Sequence, residues 1–194
     1  MGRSAAANAE QREAMRGRLL DAGLELFAAR GVDGVSVGAI AAAAGCSKGL
    51  LYHYFPTKQA LAEAVLRRWL AEVHELTAAA AAAAEGAPPT AALAAFARAM
   101  AGRVAANPNS YRLQLRALAD PGFRSLAGEL VGGSDGAPHP MASAFAAVGS
   151  EAPDLDGRFF QTALLGIFAH HVLSPRPTPI GDLVEHLIHL TLER

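Results

Sequence analysis

The sequence predicts an all-α protein, and three observations carry that prediction. Of the 194 residues, 52% are hydrophobic but only 6% are aromatic, and alanine and leucine outnumber the β-branched residues that favour strands. Apolar residues recur three and four positions apart, which is the period of an amphipathic helix. Glycine, proline, serine and threonine fall between these periodic stretches, where helices end and begin. A chain of this length can bury a core as one domain or as two.

A first helix is predicted from residue 12 to residue 30, because apolar residues form one stripe along this segment. The stripe consists of Leu19, Leu20, Gly23, Leu26 and Phe27. Gly31 follows it and suits the left-handed conformation that ends many helices. Residues 1–11 are rich in alanine and polar residues, so we expect them to form a flexible arm.

Two short helices follow the first one. Ser36 is suited to cap a helix over residues 37–44, and Ser47 to cap another over residues 48–55. Gly45 lies between them and permits a tight turn. Two short helices joined by such a turn form a helix-turn-helix, so residues 12–57 are predicted to be one domain of that kind. Its last helix crowds polar and aromatic residues onto few positions, which is typical of a DNA recognition helix.

Residues 58–194 are predicted to form a second helical domain. Pro56 stops the preceding helix, and Thr57 is suited to cap a long one that ends before residues 86–89, the clearest break in the sequence. Further helices are predicted at residues 90–106, 110–119, 123–131, 141–148, 156–173 and 180–194, with a flexible loop at residues 132–138. The chain therefore has about nine predicted helices.

Charge and composition narrow the class of protein. The net charge is −1, but the segment through Lys58 holds seven cations and five anions, and the remainder ten and thirteen. A mildly basic first part suits a protein that places one end on phosphate. The chain has one cysteine, no apolar run long enough to cross a bilayer and no secretory signal. We therefore expect a cytoplasmic protein with no membrane partner.

Residues 12–66 match one family pattern at many positions with the same spacing. The pattern includes Arg18-Leu19-Leu20-Asp21-Ala22, Ser36-Val37, Ile40-Ala41, the run Ala44-Gly45-Cys46-Ser47-Lys48-Gly49-Leu50-Leu51-Tyr52-His53-Tyr54-Phe55, then Lys58 and Leu61. This segment resembles the N-terminus of TetR/AcrR-type transcriptional regulators. The resemblance implies a homodimeric bacterial repressor that binds a near-palindromic double-stranded DNA operator with half-sites about one helical turn apart. It also implies that a small molecule in the C-terminal domain releases the operator.

Ten residues are predicted to bind DNA: Arg18, Ser36, Ser47, Lys48, Gly49, Leu50, Tyr52, His53, Tyr54 and Lys58. The two lysines favour phosphate, although both are also compatible with a solvated surface. The resemblance assigns Tyr52 and Tyr54 to contacts with backbone or base edges, and Phe55 to the core. For His53, a phosphate contact and a partly buried structural role both remain open.

Few groups are available to read bases. Gly49 and Leu50 offer only apolar contact, for example with a thymine methyl group. Related proteins often carry a polar residue at the position of Gly38, and glycine removes that possibility. The sequence thus predicts that this protein binds DNA without indicating which DNA.

Two further groups of residues are predicted in the second domain. The last two helices have regular apolar faces, and we expect them to pack against a second copy of the chain through Phe160, Leu164, Ile167, Phe168, His171, Leu183, Val184, Leu187 and Ile188. A largely apolar effector is expected to contact Trp69, Phe96, Met100, Tyr111, Arg112, Leu115 and Phe145, although each of these residues also suits an ordinary core position.

Other functions have less support in the sequence. No nucleophile motif, phosphate loop or paired carboxylates indicate an enzyme, and no cofactor is predicted. His170, His171, His186 and His189 have spacings seen in metal sites, but no carboxylate or cysteine completes a set, so no metal is predicted. Cys46 suits a small buried position better than a redox switch. The alternative function is a TetR-fold regulator that acts through a protein partner and no longer binds an operator.

Overall fold

The computed structural model describes residues 5–123, 139, 141–176 and 179–192, and within them the chain forms nine α-helices and no strand. In chain order these are α1 (Ala5–Arg30), α2 (Val37–Ala43), α3 (Lys48–Tyr54), α4 (Lys58–Ala83), α5 (Pro89–Ala106), α6 (Pro108–Ala119), α7 (Ala142–Ala147), α8 (Pro153–Leu173) and α9 (Ile180–Leu192). A short 3₁₀ turn, Pro121–Phe123, follows α6. The predicted all-α fold class is confirmed.

The chain divides into two compact units, with the boundary between Trp69 and Leu70. The sequence predicted the boundary at residue 58, where α4 begins. Helix α4 continues across the boundary between Trp69 and Leu70, so its first turns belong to the first unit and its remainder to the second. The physical reason is burial: Leu61, Val65 and Leu66 are among the buried side chains of α4, and they precede the boundary.

In the first unit, α1 packs on α2 and α2 packs on α3. The core of this unit is formed by apolar side chains that are almost completely buried, namely Leu19, Leu20, Phe27, Ile40, Leu51, Leu61 and Leu66. Gly23 allows α1 to come close to α4, since a Cβ added there would lie 3.4 Å from side-chain atoms of Leu61 and Val65. The stripe predicted from periodicity is therefore the packed face of α1.

The predicted flexible arm is wrong where the structure describes it. Helix α1 begins at Ala5, so residues 5–11 are helical, while residues 1–4 lie outside the described part of the chain. Residues 5–11 contain four alanines, a glutamate and a glutamine, which are strong helix formers, and no residue among them interrupts a helix. Intrinsic propensity thus extends the helix beyond its last buried apolar contact.

In the second unit, α8 packs on α5, α6, α7 and α9, and α5 also packs on α9. Aromatic pairs lie at two of these contacts. Tyr111 meets Phe168 edge-on with ring centroids 5.6 Å apart, and Phe145 meets Phe160 at 6.1 Å. These geometries are the favourable edge-to-face arrangement of aromatic rings. The contacts fix α6 and α7 against α8.

A hydrogen-bonded cluster holds the start of α8 in place. The backbone N–H of His139 donates to Oδ1 of Asp154 at 2.5 Å, and its Nε2 lies 2.5 Å from Oε1 of Gln161. Arg158 donates to the other oxygen of Asp154 at 2.8 Å. Gly157 lets the buried His139 ring approach, because a Cβ there would lie 2.8 Å from Nδ1. The hydrogen bond from Arg158, and next that from His139, lower the pKa of Asp154 below its ordinary value.

The remaining helix predictions agree with the structure to within a few residues at each end. Helices α5 and α6 both begin at a proline one or two residues before the predicted start, because proline is well tolerated in the first turn. From residue 124 onward, the helix predicted at residues 123–131 and the loop at residues 132–138 lie outside the described residues. Within the described ranges, no helix is both long enough and apolar enough to cross a membrane.

Candidate nucleic-acid interface

Two serines and a threonine cap helices of the first unit as the sequence predicts. Ser36 Oγ accepts a hydrogen bond from the N–H of Ala39 at 3.1 Å, and Ser47 Oγ accepts one from Leu50 at 3.1 Å. Thr57 Oγ1 does the same for α4. Between α2 and α3, Gly45 has φ +67°, a conformation that other residues rarely adopt. These caps and this turn define the ends of both helices of the helix-turn-helix.

Helix α3 has one buried face and one solvent-exposed face. Leu51 is fully buried, and Phe55 directly after the helix is 5% exposed. Five predicted DNA-binding residues lie on the exposed side, and they are Lys48, Gly49, Leu50, Tyr52 and His53. The side chain of Tyr52 is 49% exposed, so Tyr52 is not a core residue. The structure thus places on one accessible helix most of the side chains that the sequence assigned to DNA.

The rings of Tyr54 and His53 are in contact. They meet edge-on with centroids 5.7 Å apart, and Tyr54 is half-buried while His53 is exposed. Tyr54 is therefore less accessible than Tyr52. Exposure of His53 is compatible with a phosphate contact, which stays a prediction.

Lys58 has an internal role that the sequence did not reveal. Its Nζ donates to the backbone carbonyl of Val35 at 3.0 Å and to that of Asp33 at 3.3 Å, and the residue is half-buried. These carbonyls belong to the connection between α1 and α2. Since an ammonium group has three N–H donors, one remains available for phosphate. Lys58 thus stabilises the connection between α1 and α2, which ends at the helix cap Ser36.

The arginines of α1 and the lone cysteine complete this region. Arg18 is exposed, with Nη2 3.5 Å from Sδ of Met15. The guanidinium of Arg16 lies 5.8 Å from the ring centroid of Phe55, within the range of a cation–π interaction. Cys46 is half-buried, and its backbone N–H donates to the carbonyl of Ala41. That position agrees with a small turn residue.

The predicted effector residues are mostly core residues with partners of their own. Met100, Tyr111 and Phe145 are buried, and Phe96, Arg112 and Leu115 are half-buried. Tyr111 donates to the carbonyl of Leu165 at 3.3 Å, and burial raises the pKa of its hydroxyl well above its usual range. Trp69 is buried in the first unit, whereas the other six belong to the second.

Arg112 was predicted as a polar anchor for the effector, and it already has two protein partners. Its Nε donates to the carbonyl of Val172 at 2.9 Å, and Nη1 donates to Oδ1 of Asn109 at 2.9 Å. The first of these hydrogen bonds joins α6 to the end of α8. Arg112 therefore has a structural role of its own within the second unit.

One described cavity of the second unit reaches the size of a small-molecule site. It has a volume of about 360 Å³ and lies among α7, α8 and α9. It is lined by Phe145, Val148, Gly149, Ser150, Asp156, Phe159, Leu190, Thr191 and Leu192. Phe145 is the one predicted effector residue in this lining. The sequence missed the others because they come from three helices that only the fold brings together.

Most of the residues predicted for dimerisation are buried within the chain itself. Six of the nine are buried within their own chain, namely Phe160, Leu164, Phe168, Val184, Leu187 and Ile188. Ile167 and His171 are half-buried, and Leu183 is exposed. The apolar rhythm of α8 and α9 was read correctly, but this face packs inside the protomer because α8 packs on four other helices of the same unit. A side chain used for that core is not available to a second copy.

Other large apolar residues are exposed on the last two helices beside Leu183, which is the one predicted dimerisation residue that is exposed. Phe159 is 59% exposed and Leu173 68% exposed on α8, and Leu183 and Leu190 are exposed on α9. Leu183 and Leu190 are seven residues apart, two turns of one face. Phe159 and Leu173 likewise lie on one side of α8, with Thr162, Gly166 and His170 between them. We call these two lines of exposed residues the outer stripe.

Comparison with known proteins agrees with this geometry. Residues 19–65 match the model of a family described as bacterial regulatory proteins, tetR family. The HTH-type transcriptional repressor KstR2 of Rhodococcus jostii (strain RHA1) is 44% identical over 55 residues, which are 28% of this chain and 27% of that protein. The match thus spans about a quarter of the length of that relative.

Two solved structures are similar over nearly the whole chain. A TetR-like transcriptional regulator from Rhodococcus sp. RHA1 has a TM-score of 0.77 and 22% identity, covering 91% of this chain and 93% of that one. The fatty acid degradation regulator FadR from Bacillus halodurans has a TM-score of 0.74 and 16% identity, covering 92% and 94%. At such low identities the likeness establishes the fold.

A helix-turn-helix unit followed by a separate helical unit defines a class of two-domain regulatory proteins. The family model covers the α1–α4 segment that contains the caps, the Gly45 turn and the exposed face of α3. The chain has the DNA-binding domain and the fold of the TetR family of bacterial regulatory proteins, so the resemblance seen in the sequence is confirmed. That family and that fold are those of transcriptional regulators, not of enzymes.

Proposed function

We propose that the protein is a TetR-type transcriptional repressor that binds a near-palindromic operator as a homodimer and is released by a small, largely apolar effector. The observation that carries this proposal is the exposed face of α3, on which Lys48, Leu50, Tyr52 and His53 lie while Leu51 holds the helix to the core. An exposed lysine can contact phosphate, and the exposed tyrosine and leucine can contact base edges and thymine methyl groups.

DNA binding is tested with a labelled duplex obtained by site selection on the full-length chain. We expect Lys48→Ala to weaken binding to all sequences and to reduce the salt dependence by about one counterion, since it removes one phosphate contact. Tyr52→Ala should weaken specific binding by about 1–3 kcal/mol. Arg176→Ala is the control, because it removes one exposed cation from the second unit.

Two results would contradict repression through an operator. If selection from random duplexes enriches no sequence, the alternative of a regulator that acts only through a protein partner is preferred. If Lys48→Ala and Tyr52→Ala bind the selected duplex as tightly as the unchanged protein does, α3 is not the reading element.

The proposal of a homodimer is supported by the outer stripe. Phe159, Leu173, Leu183 and Leu190 expose large apolar side chains along two helices that pack on each other. Large exposed apolar side chains that recur along neighbouring helices are typical of a protein–protein contact. A two-fold symmetric contact would bring the same stripe of two copies together, and two recognition helices would then face two half-sites.

The proposal of an effector is supported by the cavity among α7, α8 and α9. Phe145, Phe159 and Leu192 give it apolar walls, while Ser150 and Asp156 add polar groups at one side. Native mass spectrometry of the protein as purified tests for a carried ligand, and gel shift before and after its removal tests for release. A ligand that is found but leaves operator affinity unchanged would contradict an effector role.

A further inference from the structure

Gly38 and Lys48 are in contact across the helix-turn-helix. A Cβ built on Gly38 would lie 2.8 Å from Cε of Lys48 and 3.3 Å from its Nζ. Carbon atoms in van der Waals contact are about 3.5–4.0 Å apart. The side chain of Lys48 therefore crosses α2 through space that any side chain at position 38 would fill.

The backbone does not require glycine at this position. Positive φ values occur at Gly31, Gly45, Gly86 and Gly149 among the described glycines, and Gly38 is not one of them. Glycine also has a lower helix propensity than alanine. The conformation of α2 thus gives no reason for glycine, whereas the space taken by Lys48 does.

The position of Lys48 also matters for what its ammonium can reach. A Cβ atom on Gly38 would also lie 3.8 Å from Oγ of Ser36, so Nζ of Lys48 and this hydroxyl are both within 4 Å of that Cβ position. Ser36 is exposed and starts α2, while Lys48 starts α3. Glycine at position 38 leaves the path across α2 open to the Lys48 side chain, whereas a side chain there would close it.

We propose that Gly38 is a positioning residue: by having no side chain, it leaves the space over the start of α2 open to the Lys48 side chain, where the Lys48 ammonium can meet a DNA phosphate. This inference rests on the proposed DNA-binding function. It assigns to Gly38 an effect on affinity that acts through Lys48. Because the atoms displaced by a methyl group are the far end of a flexible side chain, Gly38→Ala should redirect Lys48 without disrupting the fold.

The experiment measures binding of the full-length chain to the selected duplex by fluorescence anisotropy at several salt concentrations. We expect Gly38→Ala to lower affinity about threefold to tenfold and to reduce the salt dependence by up to about one counterion. Lys48→Met should do the same. The double variant should be no weaker than Lys48→Met alone, since the methyl group acts through a side chain that is then uncharged.

Two controls separate positioning from a change in stability. Gly17→Ala adds a methyl group to a helix of the same unit where nothing lies within 4 Å, and it should bind DNA normally. Trp69 is the chain's one tryptophan and is buried in the first unit, so its fluorescence reports unfolding of that unit. Gly38→Ala should have an unchanged or higher urea midpoint while its DNA affinity falls.

The outcomes distinguish this inference from the function on which it rests. If the unchanged protein binds no duplex, both are overturned. If the unchanged protein binds and Lys48→Met weakens binding, but Gly38→Ala does not, only the positioning role is overturned. An equal loss from Gly38→Ala in the presence and absence of Lys48 would also overturn it.

Discussion

At the scale of single residues, Lys58 shows a structural role beside a predicted DNA contact. Its ammonium donates to the backbone carbonyls of Asp33 and Val35 in the α1–α2 connection. Hydrogen bonds from a charged donor contribute about 1.5–3 kcal/mol when well buried. Here the lysine is half-buried, so we expect Lys58→Met to lower the stability of the first unit by about 1–2 kcal/mol.

The measurement is urea unfolding followed by the fluorescence of Trp69, which lies in the same unit. Lys48→Met is the matched control, because it removes the same charge from an exposed position and should leave the urea midpoint nearly unchanged. Equal midpoints for both variants would show that the Lys58 hydrogen bonds do not stabilise the fold. Loss of DNA affinity alone would then assign Lys58 to phosphate.

These residues also show how far sequence reasoning reached. The caps Ser36, Ser47 and Thr57 were predictable because a cap acts on a backbone N–H three residues away. Lys58 donates to the carbonyls of Val35 and Asp33, which lie 23 and 25 positions earlier in the chain. The contact of Lys48 with Gly38 depends on how α2 and α3 cross. No local pattern in the sequence records either contact.

At the scale of elements, periodicity predicts a helix more reliably than it predicts what the helix faces. In α8, Phe159 and Phe160 are neighbours in sequence, yet one is 59% exposed and the other fully buried. An apolar residue on each side of a helix leaves two possible inner faces. The packing of α5, α6, α7 and α9 decides between them, and that information is not contained in the pattern of α8 alone.

The start of α8 should be sensitive to acid. The hydrogen bonds from Arg158 and from His139 lower the pKa of Asp154 below its ordinary value of 3.8. A carboxyl group whose pKa is lower in the folded state stabilises the fold above the unfolded pKa, and that contribution is lost as the pH falls through the folded pKa. We therefore expect Asp154→Asn to be less stable than the unchanged chain at pH 7, with the difference shrinking as the pH falls below about 3.8 toward the lower folded pKa.

Thermal unfolding followed by circular dichroism at pH 7 and at pH 3 measures this difference. Glu151→Gln is the matched control, since it neutralises an exposed carboxylate three residues earlier. A constant difference between Asp154→Asn and the unchanged protein at both pH values would show that the loss comes from packing and not from the charge.

At the scale of the whole molecule, the arrangement that remains to be tested is the dimer. Phe159 and Leu190 both line the cavity among α7, α8 and α9, and both belong to the outer stripe. In a symmetric contact, one substitution changes the interface twice. A carboxylate introduced at Phe159 would lose its hydration against the apolar stripe of the second copy, and buried unpaired charges cost several kcal/mol.

We therefore expect Phe159→Glu to weaken the dimer by about 3 kcal/mol or more, roughly a hundredfold in Kd. Sedimentation velocity over a range of concentrations measures the shift toward monomer, with circular dichroism confirming an unchanged fold. His189→Glu places the same charge on exposed α9 outside the stripe and should remain dimeric. If Phe159→Glu and Leu190→Glu both sediment as the unchanged dimer does, the outer stripe is not the interface. If the unchanged protein is a monomer at every concentration, the proposed homodimer is contradicted. Operator affinity separates the remaining cases, because a chain that dimerises through the stripe should lose affinity in parallel with its dimer fraction.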